Sequence, residues 1–134
     1  MLNQFLQLKW IRILLTMLVV YILSVLTVFL IVTAYATYLA FQARGAPDQN
    51  LIQAFANLLA PWIGPASLIL FTFLGARHIV RRVEAVRPLH GISLGILVSL
   101  LNVVLNFSFS PPLIITTLLL IGGGWLGSKL SLAR

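Results

Sequence analysis

The sequence predicts an all-α integral membrane protein, a four-helix bundle forming a single domain over residues 1–134, with both termini cytoplasmic. Three observations predict it. Hydrophobic residues make up 60% of the chain and charged residues 8%, against about 25% charged in a soluble domain. So few charges cannot cover so large an apolar content, and lipid has to be the solvent for most of the surface. The apolar residues fall into four long runs separated by short polar or Pro/Gly-bearing connections. The basic residues, finally, flank those runs on one side only: Lys9, Arg12, Arg77, Arg81, Arg82, Arg87, Lys129 and Arg134 on the inner side, Arg44 alone on the outer. For short loops that asymmetry sets orientation, and it points to a multi-pass protein of a prokaryotic inner (cytoplasmic) membrane.

The first span is predicted over Ile13–Phe41. At 1.5 Å per residue it is about 43 Å long, more than the ~30 Å hydrocarbon thickness, so it tilts or projects. Trp10 anchors one end, and Tyr35, Tyr38 and Phe41 form the opposite aromatic belt. Ala34 to Ala36 imitate a signal cleavage site, but the apolar stretch exceeds the usual ~7–15 residues, and the segment is read as a retained span. Gly45 and Pro47 then stop the helix, and Asp48 caps the next. Pro61, Gly64 and Pro65 interrupt the second apolar run, because proline removes a backbone donor and clashes with the preceding turn. The expectation is a break near Pro61, with a short interfacial helix over 50–60 and a second span over 62–86; the alternative is one kinked helix. Pro88 opens a third span, 89–107. The Pro111–Pro112 turn leads into a fourth, 113–127.

Much chemistry is missing. Without cysteine there are no disulfides, thiolate metal sites or iron–sulfur ligation. The only carboxylates, Asp48 and Glu84, lie in connections. Proton relays and cation-coupled exchangers need an ionisable group inside a span, and the small multidrug exchangers depend on a membrane-embedded glutamate that this chain lacks. No acid, histidine and serine converge on one face. The chain is therefore read as a non-enzyme, with no metal site. The net charge of +7 is accounted for by topology, and nucleic acid is not a predicted partner.

Three groups of residues remain as candidates. Gly91, Gly95, Ser99, Asn102 and Asn106 recur at spacings of four, four, three and four, one stripe along the third span. Small residues let another backbone approach, and amides facing lipid would be unsatisfied, so the stripe is predicted to meet protein. Gly123 and Gly127 on the fourth span, with Thr116 and Gly124 near them, offer the matching surface; Ser24, Thr27 and Ala34 offer another on the first. Arg77, Arg81, Arg82 and Arg87 suit anionic lipid head groups or an acidic partner, at about 1 kcal/mol each near a membrane surface, beside their plain role in orientation. His78 and His90, among those arginines, are read as polar interfacial side chains; the alternative is axial ligation of a haem or pigment metal. No cofactor is predicted otherwise.

Gly75, Ala76 and Arg77 at the end of the second span, a basic connection, then His90, Gly91 and Gly95 make an order that resembles small four-helix bacterial integral membrane proteins of unknown function. The resemblance covers about Phe73 to Leu97 and implies the four-span layout without an activity.

The expected role is thus a non-catalytic accessory or structural subunit of a larger membrane complex, of a bioenergetic or photosynthetic kind, in contact with lipids and with other membrane subunits or with itself. The alternatives are a small oligomeric transporter or channel using Asn102 and Asn106, and a lipid-binding protein using the Arg77–Arg87 segment.

Overall fold

A computed structural model describes residues 8–81, 87–106 and 111–131, with the side chains of Arg87, Asn106 and Pro111 outside that description. It contains four helices: α1 (Trp10–Ala43), α2 (Gln49–Val80), α3 (Arg87–Asn106) and α4 (Pro111–Leu130). There is no strand among the described residues. Each helix is long and apolar enough to cross a membrane. Short connections make successive helices antiparallel. The α2 helix touches the other three; α1 packs on α2 and α3, and among the described residues it does not reach α4. The bundle is a rhombus in section, with α2 and α3 on its short diagonal and α1 and α4 at opposite corners.

The largest departure from expectation is in α2. It runs unbroken through Pro61 and Pro65, 32 residues in all, where the sequence predicts a break and a separate interfacial helix. The physical reason is local. In apolar surroundings a break would strip several peptide groups of partners at once, whereas each proline removes a single donor. Hydroxyls nearby supply extra contacts at this level: Ser67 Oγ donates to the Gly64 carbonyl at 2.9 Å, and Ser24 Oγ of α1 reaches Ser67 Oγ at 2.7 Å. The remaining predicted boundaries move by one to three residues, except the end of α2, which lies at Val80; residues 82–86 are outside the described part.

The turns are made by residues suited to them. Asp48 caps α2, its Oδ1 accepting from the Asn50 N–H at 2.9 Å. The α1 helix closes with a left-handed residue, but that residue is Arg44 (φ 49°), not the adjacent Gly45.

The core is lopsided. Ile13, Val20, Leu68, Ala76, Ile79, Leu94, Val98 and Leu120 form one buried cluster toward the basic end. From Val25 to Ala66 no residue is buried. Helix lengths explain this. By residue count α1 and α2 are about 51 and 48 Å long, α3 and α4 about 30 Å each. The four are level at the basic end, where α1 and α3 begin, α2 and α4 finish, and the Lys9 N–H donates to His90 Nε2 at 3.3 Å. The far parts of α1 and α2 therefore run past the ends of α3 and α4 as a two-helix arm. Inside the arm Tyr35 and Phe55 stack with ring centroids 3.8 Å apart and an interplanar angle of 16°.

Candidate functional site

Backbones approach very closely between α3 and α4. A Cβ at Gly91 would collide with the Gly124 carbonyl oxygen, and one at Gly124 with that of Gly91. A Cβ at Gly95 would stand 2.6 Å from the Leu120 oxygen and 2.8 Å from the Ile121 Cα. Only glycine allows backbones this close. One turn further, the buried Ser99 Oγ donates to the Gly95 carbonyl at 2.8 Å and lies 3.5 Å from that of Thr117 across the interface.

The glycines of α4 divide their work. The sequence places Gly123 and Gly127 opposite the α3 stripe, but it is Gly124, four residues before Ser128, that meets Gly91. Gly127 turns to α2 instead, where its Cβ would collide with the Phe73 carbonyl oxygen, and Gly123 faces Ile69 of α2 more loosely at 3.7 Å. The correction is one of angle. Residues 123 and 124 lie about 100° apart on a helix of 3.6 residues per turn, enough to face two neighbours. Sequence reasoning assigns Gly75 no packing role. Its Cβ would approach Thr16 Cγ2 at 2.9 Å and Val20 Cγ2 at 3.0 Å, so it seats α1 on α2.

The polar stripe does not continue as a single seam. Past Ser99, Asn102 leaves the α3–α4 contact and lines a cavity of about 690 Å³. All four helices wall it: Tyr21 and Ser24 from α1, Asn57 and Pro61 from α2, Asn102 from α3, and Thr116 from α4. It lies where the arm leaves the shorter helices, above the packed Leu94, Val98 and Leu120. Because α1 and α4 do not meet among the described residues, it opens sideways between them. None of its lining side chains is a carboxylate or a cation; the polar ones are hydroxyls, the Tyr21 phenol among them, and amides. Several hydroxyl protons are already committed. Thr116 Oγ1 donates to the Pro112 carbonyl at 2.9 Å, and Ser24 is paired with Ser67. A second, smaller groove of about 410 Å³ between α2 and α4, walled by Ile69, Phe73, Leu119 and Leu126 among others, is lined by apolar residues throughout. The Asn106 side chain lies outside the described residues.

The two histidines part company. His78 is exposed near the end of α2. His90, expected at the interface as a polar surface group, is 0% exposed. Its Nε2 accepts the Lys9 N–H, so that nitrogen ties the start of α1 to the first turn of α3. Among the described residues no three His, Cys, Asp or Glu side chains gather as a metal site. Of the four arginines, Arg77 is half-buried and its Nε has no hydrogen-bond partner among the described residues. Arg81 is exposed, while Arg82 and the Arg87 side chain lie outside the described part. At the same end of the bundle the Lys129 ammonium sits 4.8 Å from the centroid of the Trp125 ring, a cation–π contact.

Against known proteins the chain stands by itself: no family model, no curated protein and no solved structure matches it.

Proposed function

We propose that this chain is a non-catalytic subunit of a membrane assembly, inserted with its basic end in the cytoplasm, and that the arm of α1 and α2 is what it offers to another membrane protein. One observation carries this reading. The arm is apolar, and nothing among the described residues covers it. Phe41 is 80% exposed, Leu58 68% and Tyr38 56%. Helices α3 and α4, at about 30 Å, already match the hydrocarbon thickness. An arm reaching about 20 Å further carries Tyr38, Phe41 and Leu51 into the head groups or beyond, where apolar surface is best covered by protein. The sequence supports the same reading, since Asp48 and Glu84 both lie in connections and supply no acid inside a span for proton or cation coupling.

Extraction into nanodiscs without stripping detergent, followed by native mass measurement, tests it. The expected result is a companion chain, lost in Phe41→Ser/Leu58→Ser while the four-helix body stays folded. A wild-type chain always found alone, or only with itself, refutes the proposal. Orientation is tested separately. The native chain has no cysteine, so Ala46→Cys and His78→Cys, both at exposed positions, each give a single label site. Ala46→Cys is expected to react from outside intact cells and His78→Cys only after permeabilisation.

The transporter reading draws on Asn102, which lines the cavity. The tight packing of Leu94, Val98 and Leu120 between that cavity and the basic end speaks against a continuous path.

A further inference from the structure

We infer that the four-helix cavity is a binding site for a neutral, hydroxyl-bearing lipid of the diacylglycerol type, its head between Ser24, Asn102 and Thr116 and its tails leaving between α1 and α4. The inference shares only the membrane setting with the function proposed above and needs no partner protein.

Four features define the occupant. The first is size. About 690 Å³ lies within the range of small-molecule sites, roughly 300–1,000 Å³, and is far more than a dehydrated metal ion needs. Charge is the second. No side chain in the wall carries one, and a phosphate or carboxylate brought into this apolar setting would lack a counter-ion, at a cost of several kcal/mol. Hydrogen-bond polarity is the third. Thr116 spends its proton on Pro112, leaving its oxygen as an acceptor. Asn57 and Pro61, both wall residues, have proline at i+4, so their carbonyls lack the helical donor. A wall of amides, hydroxyls and these carbonyls suits a head that both donates and accepts, and hydroxyl groups do so without charge. Access is the fourth. The mouth faces sideways through the gap between α1 and α4, with Val25, Val28 and Phe29 along it, so an acyl chain can stay in the bilayer while the head is inside.

The test uses the full chain alone in phosphatidylcholine nanodiscs containing dioleoylglycerol with a diazirine in one tail. A matched probe carries the same tail on phosphatidic acid. The expected result is saturable labelling of Val25–Phe29 on α1 and of Pro112 and Leu113 on α4, displaced by unlabelled dioleoylglycerol and not by phosphatidic acid. Gly64 borders the cavity, and a Cβ placed on it meets nothing within 4 Å. Gly64→Leu should therefore fill the space without disturbing the fold and lower labelling about tenfold. Thr116→Val, which keeps the shape and removes the oxygen, should lower it several-fold. Labelling that never saturates and follows every lipid-facing helix equally overturns the inference. So does equal labelling by the phosphatidic acid probe, or labelling undiminished in both variants. Since no other protein is in the disc, failure here leaves the subunit proposal standing, and the converse holds.

Discussion

Replacing Gly95 by alanine puts a methyl group 2.6 Å from the Leu120 carbonyl oxygen. The closest comfortable C–H···O contacts have C···O distances of about 3.3–3.6 Å, so α3 and α4 must part there by about 0.7–1 Å. Neither obstacle is a flexible side chain; the nearest atoms are the Leu120 carbonyl and the Ile121 Cα, both backbone. A gap of that size forfeits a quarter to a half of each dispersion contact it opens, and overpacking of this kind costs about 1–3 kcal/mol. Against it stands the gain of removing a glycine from a helix, roughly 0.5–1 kcal/mol. The net expectation is a loss of about 1–2 kcal/mol. Gly122→Ala is the matched control: its Cβ meets nothing within 4 Å, so only the helix gain remains and stability should hold or rise slightly. Reversible unfolding of both variants in mixed micelles of dodecyl sulfate and a mild detergent reads the difference. If Gly95→Ala proves as stable as Gly122→Ala, the backbone contact between α3 and α4 is not what holds them together.

Polar ties and one turn give smaller, separate effects. A double-mutant cycle of Ser24→Ala and Ser67→Ala should give a coupling of about 0.6 kcal/mol and no more than about 1.7; zero coupling would separate α1 from α2 at this level. His90→Leu leaves the Lys9 N–H without its acceptor, at about 1–3 kcal/mol if it stays buried, and hydrogen exchange at residues 9–13 should rise well before that of α4. Arg44→Gly relieves a left-handed non-glycine residue, worth about 1 kcal/mol, and thermal unfolding should shift upward; a downward shift would mean that the arginine side chain matters more than its backbone.

The four-helix layout is legible in the sequence because it depends on run length and charge placement, which need no knowledge of the fold. The stripe of Gly91, Gly95 and Ser99 is legible for the same reason, since residues three and four apart must share a face. What that face meets is only half legible. A run of three glycines leaves the helix rotation undetermined, and Gly123, Gly124 and Gly127 each differ in what they touch. Pro61 and Pro65 mislead because proline's rule is a statement about lost hydrogen bonds, and the loss is smaller than that of a break when no water is present to replace the partners. His90 is hidden for another reason. Its hydrogen-bond partner is the Lys9 N–H, 81 positions away in sequence, and no periodicity links the two. The cavity lies beyond periodic reasoning as well, because it arises from the unequal lengths of two helix pairs.

That tie between Lys9 and His90 also says something about the order of assembly. Most contacts in this bundle join helices next to each other in the chain, so each new helix finds its neighbour as soon as it is made. The bond to His90 spans 81 positions. Until α3 has been synthesised and seated, the Lys9 N–H lacks this acceptor, although α1 can already pack on α2 at Gly75. The fastening of α1 at Lys9 therefore registers that the third helix has arrived.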